Sequence, residues 1–232
     1  MKIAHARIGL ALLAATTALT GCLNLGDASK APAVVYYVLT DAAPAAVAPL
    51  SPATALKDSS QYPPEGYSDP LRAKARVESS APTLRVLDTS TVNFYDTDKL
   101  VFSRSADTRG LYQFARWTER PSKRFAELMR ARLDHQGAWN VSAASGGYVR
   151  DDLLLDTKLV EFYHDAVSNP GQVRLVLRAD LIDTRQRKLL GHRVFEQQVP
   201  LTSYDAAGAA QASSLAVSRV LDDLTVWLAS LK

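Results

Sequence analysis

The stretch "GQVRLVLRADLI" at residues 171–182 alternates in character, with Val173, Leu175, Leu177, Ala179 and Leu181 at one set of positions and Arg174, Arg178 and Asp180 at the other. A helix brings residues three and four apart onto one face, so a period of two describes a strand with one buried and one wet face. Such a strand needs partners. One precedes it, from about Leu153 to Val167, across the turn "SNPG" (168–171). Another follows, from about Leu189 to Val199, across the turn "DTRQRK" (183–188). Pro, Gly, Asn and Asp at those two places favour chain reversal, and the three strands read as an antiparallel meander. Its apolar face has to be covered by another part of the chain.

Two segments suit that task. In the first, Pro121 fits a first helical turn, Phe125, Leu128, Met129, Arg132 and Leu133 recur at helical spacing, and Gly137 follows the end. Arg132 is carried at the edge of this stripe by its aliphatic stem. The second helix spans about 204–230, with Ala210, Ser213, Val217, Val220, Leu221, Leu224 and Leu228 as its core stripe. Thr202 and Asp205 have the spacing of a capping box in front of it. Shorter strands are expected at "VVYYVL" (34–39), "TLRVLDTST" (83–91), "LVFS" (100–103), "LYQFARW" (111–117) and "WNVS" (139–142). The sum is a single α/β (α+β) domain, three-layer-like, in which a mixed sheet with an antiparallel C-terminal meander is covered by two amphipathic helices.

The chain is not uniform before that point. Residues 41–82 are rich in Ala, Pro and Ser without a sustained period, and read as a flexible excursion over the surface. A gap of that length inside one domain is unusual. Two placements of the boundary follow: a domain of residues 34–232 that carries the excursion, or a domain that starts near Thr83 with Val34–Leu39 in the tether.

The first residues have a different purpose. Lys2, His5 and Arg7 form a short basic region, and Ile8 to Leu19 is apolar apart from Gly9, Thr16 and Thr17. Thr20 and Gly21 are small, as a signal peptidase requires, so residues 1–21 read as a secretory signal too short for a mature membrane span. Cys22 is the only cysteine in 232 residues, and a single thiol cannot close a disulfide within the chain. "LTGC" (19–22) resembles the lipobox of bacterial lipoproteins, which implies a diacylglyceryl group on the Cys22 sulfur and cleavage just before it. Two or three acyl chains anchor firmly where one chain, at about 0.8 kcal/mol per buried methylene, is marginal. Residues 22–33 are then the lipidated Cys and its tether, with a reach of roughly 35 Å when extended. Leu23 and Asn24 follow the Cys. The absence of Asp there favours the outer membrane by the general sorting rule for bacterial lipoproteins.

Charge excludes one class of partner. The 27 basic residues barely exceed the 24 acidic ones, and Lys2 and Arg7 leave with the signal. A near-neutral exported chain is a poor binder of nucleic acid. Catalysis is also disfavoured. His135, His164 and His192 lack metal-ligand spacing, no "GxSxG" elbow occurs, and "SGG" (145–147) lacks the lysine of a phosphate cradle. Asp151-Asp152 and Asp222-Asp223 are adjacent pairs whose side chains diverge on a strand or a helix. No cofactor is expected beyond the lipid on Cys22.

Taken together, the lipobox, "YYVL" (36–39), "GLYQFARWTERPSKRFAELMRARL" (110–133) and the meander followed by a helix resemble the ABC-type transport auxiliary lipoproteins. That family includes the lipoprotein member of the paraquat-inducible lipid transport system. The resemblance covers nearly the whole mature chain except residues 41–82. It implies partnership with an inner-membrane ABC permease and ATPase system and with an MCE-domain protein that carries lipid across the periplasm. Together with the anchor and the lack of catalytic motifs, the expectation is a non-catalytic accessory subunit at the periplasmic face of the outer membrane that docks the MCE partner. Lipid binding by the domain itself and self-association stay open, as does service as a scaffold for another envelope machine.

Three sets of residues are candidates for contact. Arg185, Arg187 and Lys188 crowd the tip of the second hairpin, where charge is exposed and held by a rigid scaffold. Tyr112 and Trp117 either fix a strand-to-helix corner by burying area or face a partner. Arg116 between them either pairs with a carboxylate or meets a lipid headgroup. The cationic helix residues Arg120, Lys123, Arg124 and Arg130 read as a solvated face or as a contact for anionic headgroups.

Overall fold

A computed structural model of the chain describes residues 32–41, 81–143 and 151–231. Cys22, its signal and most of the excursion lie outside those residues, as does "SGG". The order of elements is β1 (Val35–Tyr37), β2 (Thr83–Val86), β3 (Ser90–Thr91), β4 (Lys99–Ser103), β5 (Gly110–Trp117), α1 (Pro121–Gln136), β6 (Asn140–Ala143), β7 (Leu153–Asp165), β8 (Gln172–Asp183), β9 (Lys188–Pro200) and α2 (Ala206–Ser230). A short 3-10 turn at Asn93–Tyr95 separates β3 from β4.

β7 organises the sheet. Along one edge it pairs antiparallel with β8 over nearly its full length, from Leu153↔Asp183 to Asp165↔Gln172. β8 in turn pairs with β9 from Gln172↔Pro200 to Asp183↔Lys188. Along its other edge β7 receives three strands in succession, all parallel: β2 at Leu153–Leu155, β3 at Lys158 and Leu159, and β4 at His164 and Asp165. β6 extends the sheet beyond β2, while β5 and then β1 extend it beyond β4. The segment Val34–Leu39 therefore joins the sheet through β1, which pairs parallel with β5 at Val35↔Ala115, Tyr36↔Arg116 and Tyr37↔Trp117.

The alternation in β8 is realised side chain by side chain. Val173, Leu175, Leu177, Ala179 and Leu181 are all buried in the core. A bulge near Val160 keeps the two halves of β7 in step with β8, so Leu155, Leu159 and Phe162 also face inward. The opposite face is not wholly wet. Val176 lies between Glu161 and Glu196 in the ladder and is buried, beside the Arg174 guanidinium that pairs with both carboxylates.

Both helices cover the same face. α1 inserts Phe125, Leu128, Met129 and Leu133, and α2 inserts Val217, Val220, Leu221, Leu224 and Leu228, into one core cluster with the strands. The helices also touch each other, through an ion pair between Arg132 and Asp222. The helices thus cover the apolar face of the sheet, while the outward face of the meander carries paired charges.

The helix ends follow their local chemistry. Pro121 opens α1, where its missing N–H costs nothing, and Gly137 closes it at φ 63°, a left-handed turn that glycine adopts without strain. The start of α2 differs from the expected capping box. Asp205 is the N-cap and accepts from the Gly208 backbone N–H at 2.7 Å, while Ser203 donates to the same carboxylate. The Thr202 hydroxyl bonds to Gln211 instead. Asp has a strong preference for the cap position, and Gly208, the third residue of the helix so capped, has no side chain to reach back to Asp205 and complete a reciprocal box.

Candidate functional site

β7 carries a polar residue at a core position. Phe162 and His164 share the inward face, and His164 is only 2 % exposed although its neighbours across the ladder are apolar. A buried imidazole has to find partners for both ring nitrogens. The carbonyl of Pro170, 3.0 Å from Nε2, can only accept, so Nε2 carries the proton and donates. Nδ1 is then the acceptor for the Tyr112 hydroxyl at 2.8 Å. Gly171 makes this closure feasible. It sits at φ 81°, and a Cβ there would meet His164 Nε2 at 2.8 Å and press on the Asp165 carbonyl.

Two aromatic rings contact the imidazole, and a third backs one of them. Tyr112 stacks on it at 11° between planes with centroids 6.3 Å apart, and Tyr204 meets it edge-on at 5.6 Å. Phe102 lies edge-on against Tyr112 at 5.2 Å. The Tyr204 hydroxyl donates to the Ala166 carbonyl at 3.2 Å. Burial holds His164 below the usual imidazole range and so keeps it neutral. Burial, with Tyr204 and Asp205 adding to it, pushes the Tyr112 phenol up to about 12. Neither group is a free base or nucleophile near neutral pH.

Above this cluster lies an open cleft of about 260 Å³ walled by Phe102, Leu111, Tyr112 and Tyr204, with Arg104 at its edge. The Arg104 guanidinium stands 4.9 Å from the Phe102 ring centre. That volume is below the roughly 300–1,000 Å³ of ordinary small-ligand sites. It suits one aromatic or short apolar group, not a whole lipid.

The candidate residues named from the sequence fall at separate places. Trp117 is buried and stacks on Phe162 at 5.9 Å. Arg116 forms a two-pronged pair with Asp98 at 2.9 and 3.0 Å. Tyr112 sits towards the other end of the same strand, on the wall of the cleft. Arg185, Arg187 and Lys188 lie at the tip between β8 and β9, and all three are exposed. Arg185 pairs with Asp152, and its backbone N–H bonds to Asp183 at 2.8 Å. Arg187 takes the left-handed conformation at φ 54°. The cleft and the tip mark opposite ends of the meander, roughly 40 Å apart at the rise of a strand, and do not form one site.

His164 and Tyr204 were missed from sequence, since no spacing joins residues 112, 164 and 204. A faint signal existed: a histidine two residues after the apolar Phe162 and so on the same face of the strand. Among the described residues no group of three or more His, Cys, Asp or Glu is placed to hold a metal ion. Among them, too, no helix is long and apolar enough to cross a membrane.

The fold and this geometry define an α+β domain with a curled mixed sheet, two helices on one face and a small aromatic cleft at one end. The chain belongs to the ABC-type transport auxiliary lipoprotein component family, whose model matches residues 68–225. Two solved structures share the fold. One is a Xanthomonas campestris protein of the DUF330 family, with a TM-score of 0.60 and 20 % identity over 65 % of this chain and 85 % of that one. The other is an uncharacterized protein, with a TM-score of 0.55 and 14 % identity over 63 % of this chain and 92 % of that one. No curated protein matches the sequence. The family name makes the chain an auxiliary component of ABC transport and a lipoprotein, a protein held at a membrane of the cell envelope by lipid.

Proposed function

We propose that this protein is a non-catalytic subunit anchored through Cys22 to the periplasmic face of the outer membrane, where it docks an MCE-domain protein of an ABC-type lipid transport system. The observation that carries the reading is the family match, which takes in the helix α1, the whole meander and most of α2. The solitary cysteine behind a signal-like segment supports the anchor. Binding suits the geometry better than turnover, since both nitrogens of His164 are bonded and the imidazole is shut away from substrate.

Docking falls on exposed, rigidly held features. The tip Arg185, Arg187 and Lys188 steers an acidic partner surface, and charge of this kind sets register and encounter rate more than affinity. The corner residues Arg116 and Trp117 act structurally, tying β5 to Asp98 and to Phe162 of β7, while Tyr112 presents its ring to the cleft. Crosslinking in intact cells, followed by identification of the captured proteins, tests the assignment. An MCE-domain protein is expected from the wild type. Replacing Arg185, Arg187 and Lys188 by Glu is expected to reduce its capture, with lipidation unchanged. Recovery of a different envelope machine, with no MCE-domain protein, would show a scaffold role elsewhere. Palmitate labelling that Cys22→Ser abolishes is the check on the anchor.

A further inference from the structure

The outward face of the sheet changes character from one side to the other. Over the meander it is covered by paired charge: Arg174 binds Glu161 and Glu196, and Arg109 lies 3.9 Å over the Tyr163 ring. At the β1 edge it turns apolar. Tyr37 and Leu39 point inward, and Leu39 is 2 % exposed in the core. Val34, Tyr36 and Val38 alternate with them and are 40 %, 59 % and 55 % exposed. Beside them on β5, one residue before the Val35↔Ala115 pair, Phe114 is 39 % exposed. Four large apolar side chains, on β5 and on β1 with its two flanking residues, form a patch, whereas single exposed apolar residues are ordinary. None of the four belongs to the core cluster, so the fold does not account for them.

The position of the patch in the chain indicates what covers it. Only residues 23–33 separate Cys22 from Val34, a span of roughly 35 Å at full extension. The patch is therefore the first part of the folded domain on its leash. An anchored group meets the nearby surface at a high effective concentration, so even a weak contact is occupied. Tyr36 has the chemistry of an interfacial residue, with an apolar ring for the acyl boundary and a hydroxyl for the headgroups.

We infer that the β1–β5 edge lies against the lipid surface that holds Cys22, with Val34, Tyr36, Val38 and Phe114 in contact with it. This rests on the lipid anchor proposed above, and the test separates the two. If Cys22 is acylated, a cysteine introduced elsewhere is the only free thiol of the chain. Lipidated Tyr36→Cys and Val226→Cys proteins are labelled with an environment-sensitive fluorophore and reconstituted into phospholipid vesicles that contain a spin-labelled quencher lipid. Val226 is 70 % exposed on α2, which covers the opposite face of the sheet, and serves as the reference. The probe at position 36 is expected to shift to the blue and to be quenched severalfold more than the probe at 226. Phe114→Cys is expected to repeat the result from the neighbouring strand. Equal quenching at 36 and 226 would overturn the inference. So would a probe at 36 that is shielded from water yet unquenched by lipid, since residues 42–80 or a second copy would then be the cover. Labelling of the otherwise unmodified chain would instead show a free Cys22 thiol, and the anchor itself would fail.

Discussion

The meander and the segment Val34–Asp41 belong to one sheet but are secured by different means. β7, β8 and β9 exchange backbone hydrogen bonds over ladders about twelve residues long, and their inward residues repeat every second position. The N-terminal segment contributes a ladder of three residues. Side chains do the rest. Leu39 is buried in the core, the Arg124 guanidinium donates to its carbonyl at 3.1 Å, and Arg132 grips Asp41 at 2.6 and 2.9 Å. Arg132 binds Asp222 as well, so one residue joins the segment to α1 and α2. A long ladder spreads its stability over many weak bonds, whereas a short strand depends on a few strong side-chain contacts that are distant in sequence.

That difference is open to attack. The largest effect is expected from Leu177→Ala, which empties a site at the centre of the meander and costs about 3–4 kcal/mol. Chemical denaturation of the whole chain should show a lower midpoint. Leu39→Ala is expected to cost less, about 2–3 kcal/mol, and to release the N-terminal segment to protease while the meander stays resistant. Equal midpoint losses with no selective cleavage would mean that the two regions unfold as one.

A smaller effect, about 2 kcal/mol, is expected from Arg132→Ala, because the guanidinium and Asp41 are each nearly buried and the pair is lost together with the link to Asp222. Hydrogen exchange should quicken at the β1 amides and stay slow in β8. Slower exchange at β1 than in β8 would reverse the assignment of the weak region.

The last effect belongs to the polar centre at the end of the meander and is the mildest. Burial lowers the pKa of His164 in the fold, so the unfolded chain takes up the proton first as pH falls. The associated stability is complete above about 6.5, declines as pH drops through that value, and is gone once pH has passed the lowered folded value. Thermal melts between pH 7 and 5 should show the loss, and His164→Gln should flatten it. A variant with the same slope as the wild type would assign the pH response to another group.

What the sequence by itself determined was whatever depends on neighbours in the chain. The period of two in residues 171–182, the stripes of α1 and α2, Pro121 and Gly137 at the ends of a helix, and the hairpin turns were all legible, because each is a local preference repeated or punctuated within a few residues. Even the tip with Arg185, Arg187 and Lys188 could be located in that way. The tertiary structure alone decided which edge of β7 each short strand would join, since β2, β3 and β4 reach it across spacings that no period encodes. It also decided that both helices share one face, that Asp41 answers Arg132, and that Tyr112, His164 and Tyr204 meet beneath one cleft. Those contacts join residues tens of positions apart. Their pairing is set by packing and by the need of buried polar atoms for partners, and neither is written in the order of adjacent residues.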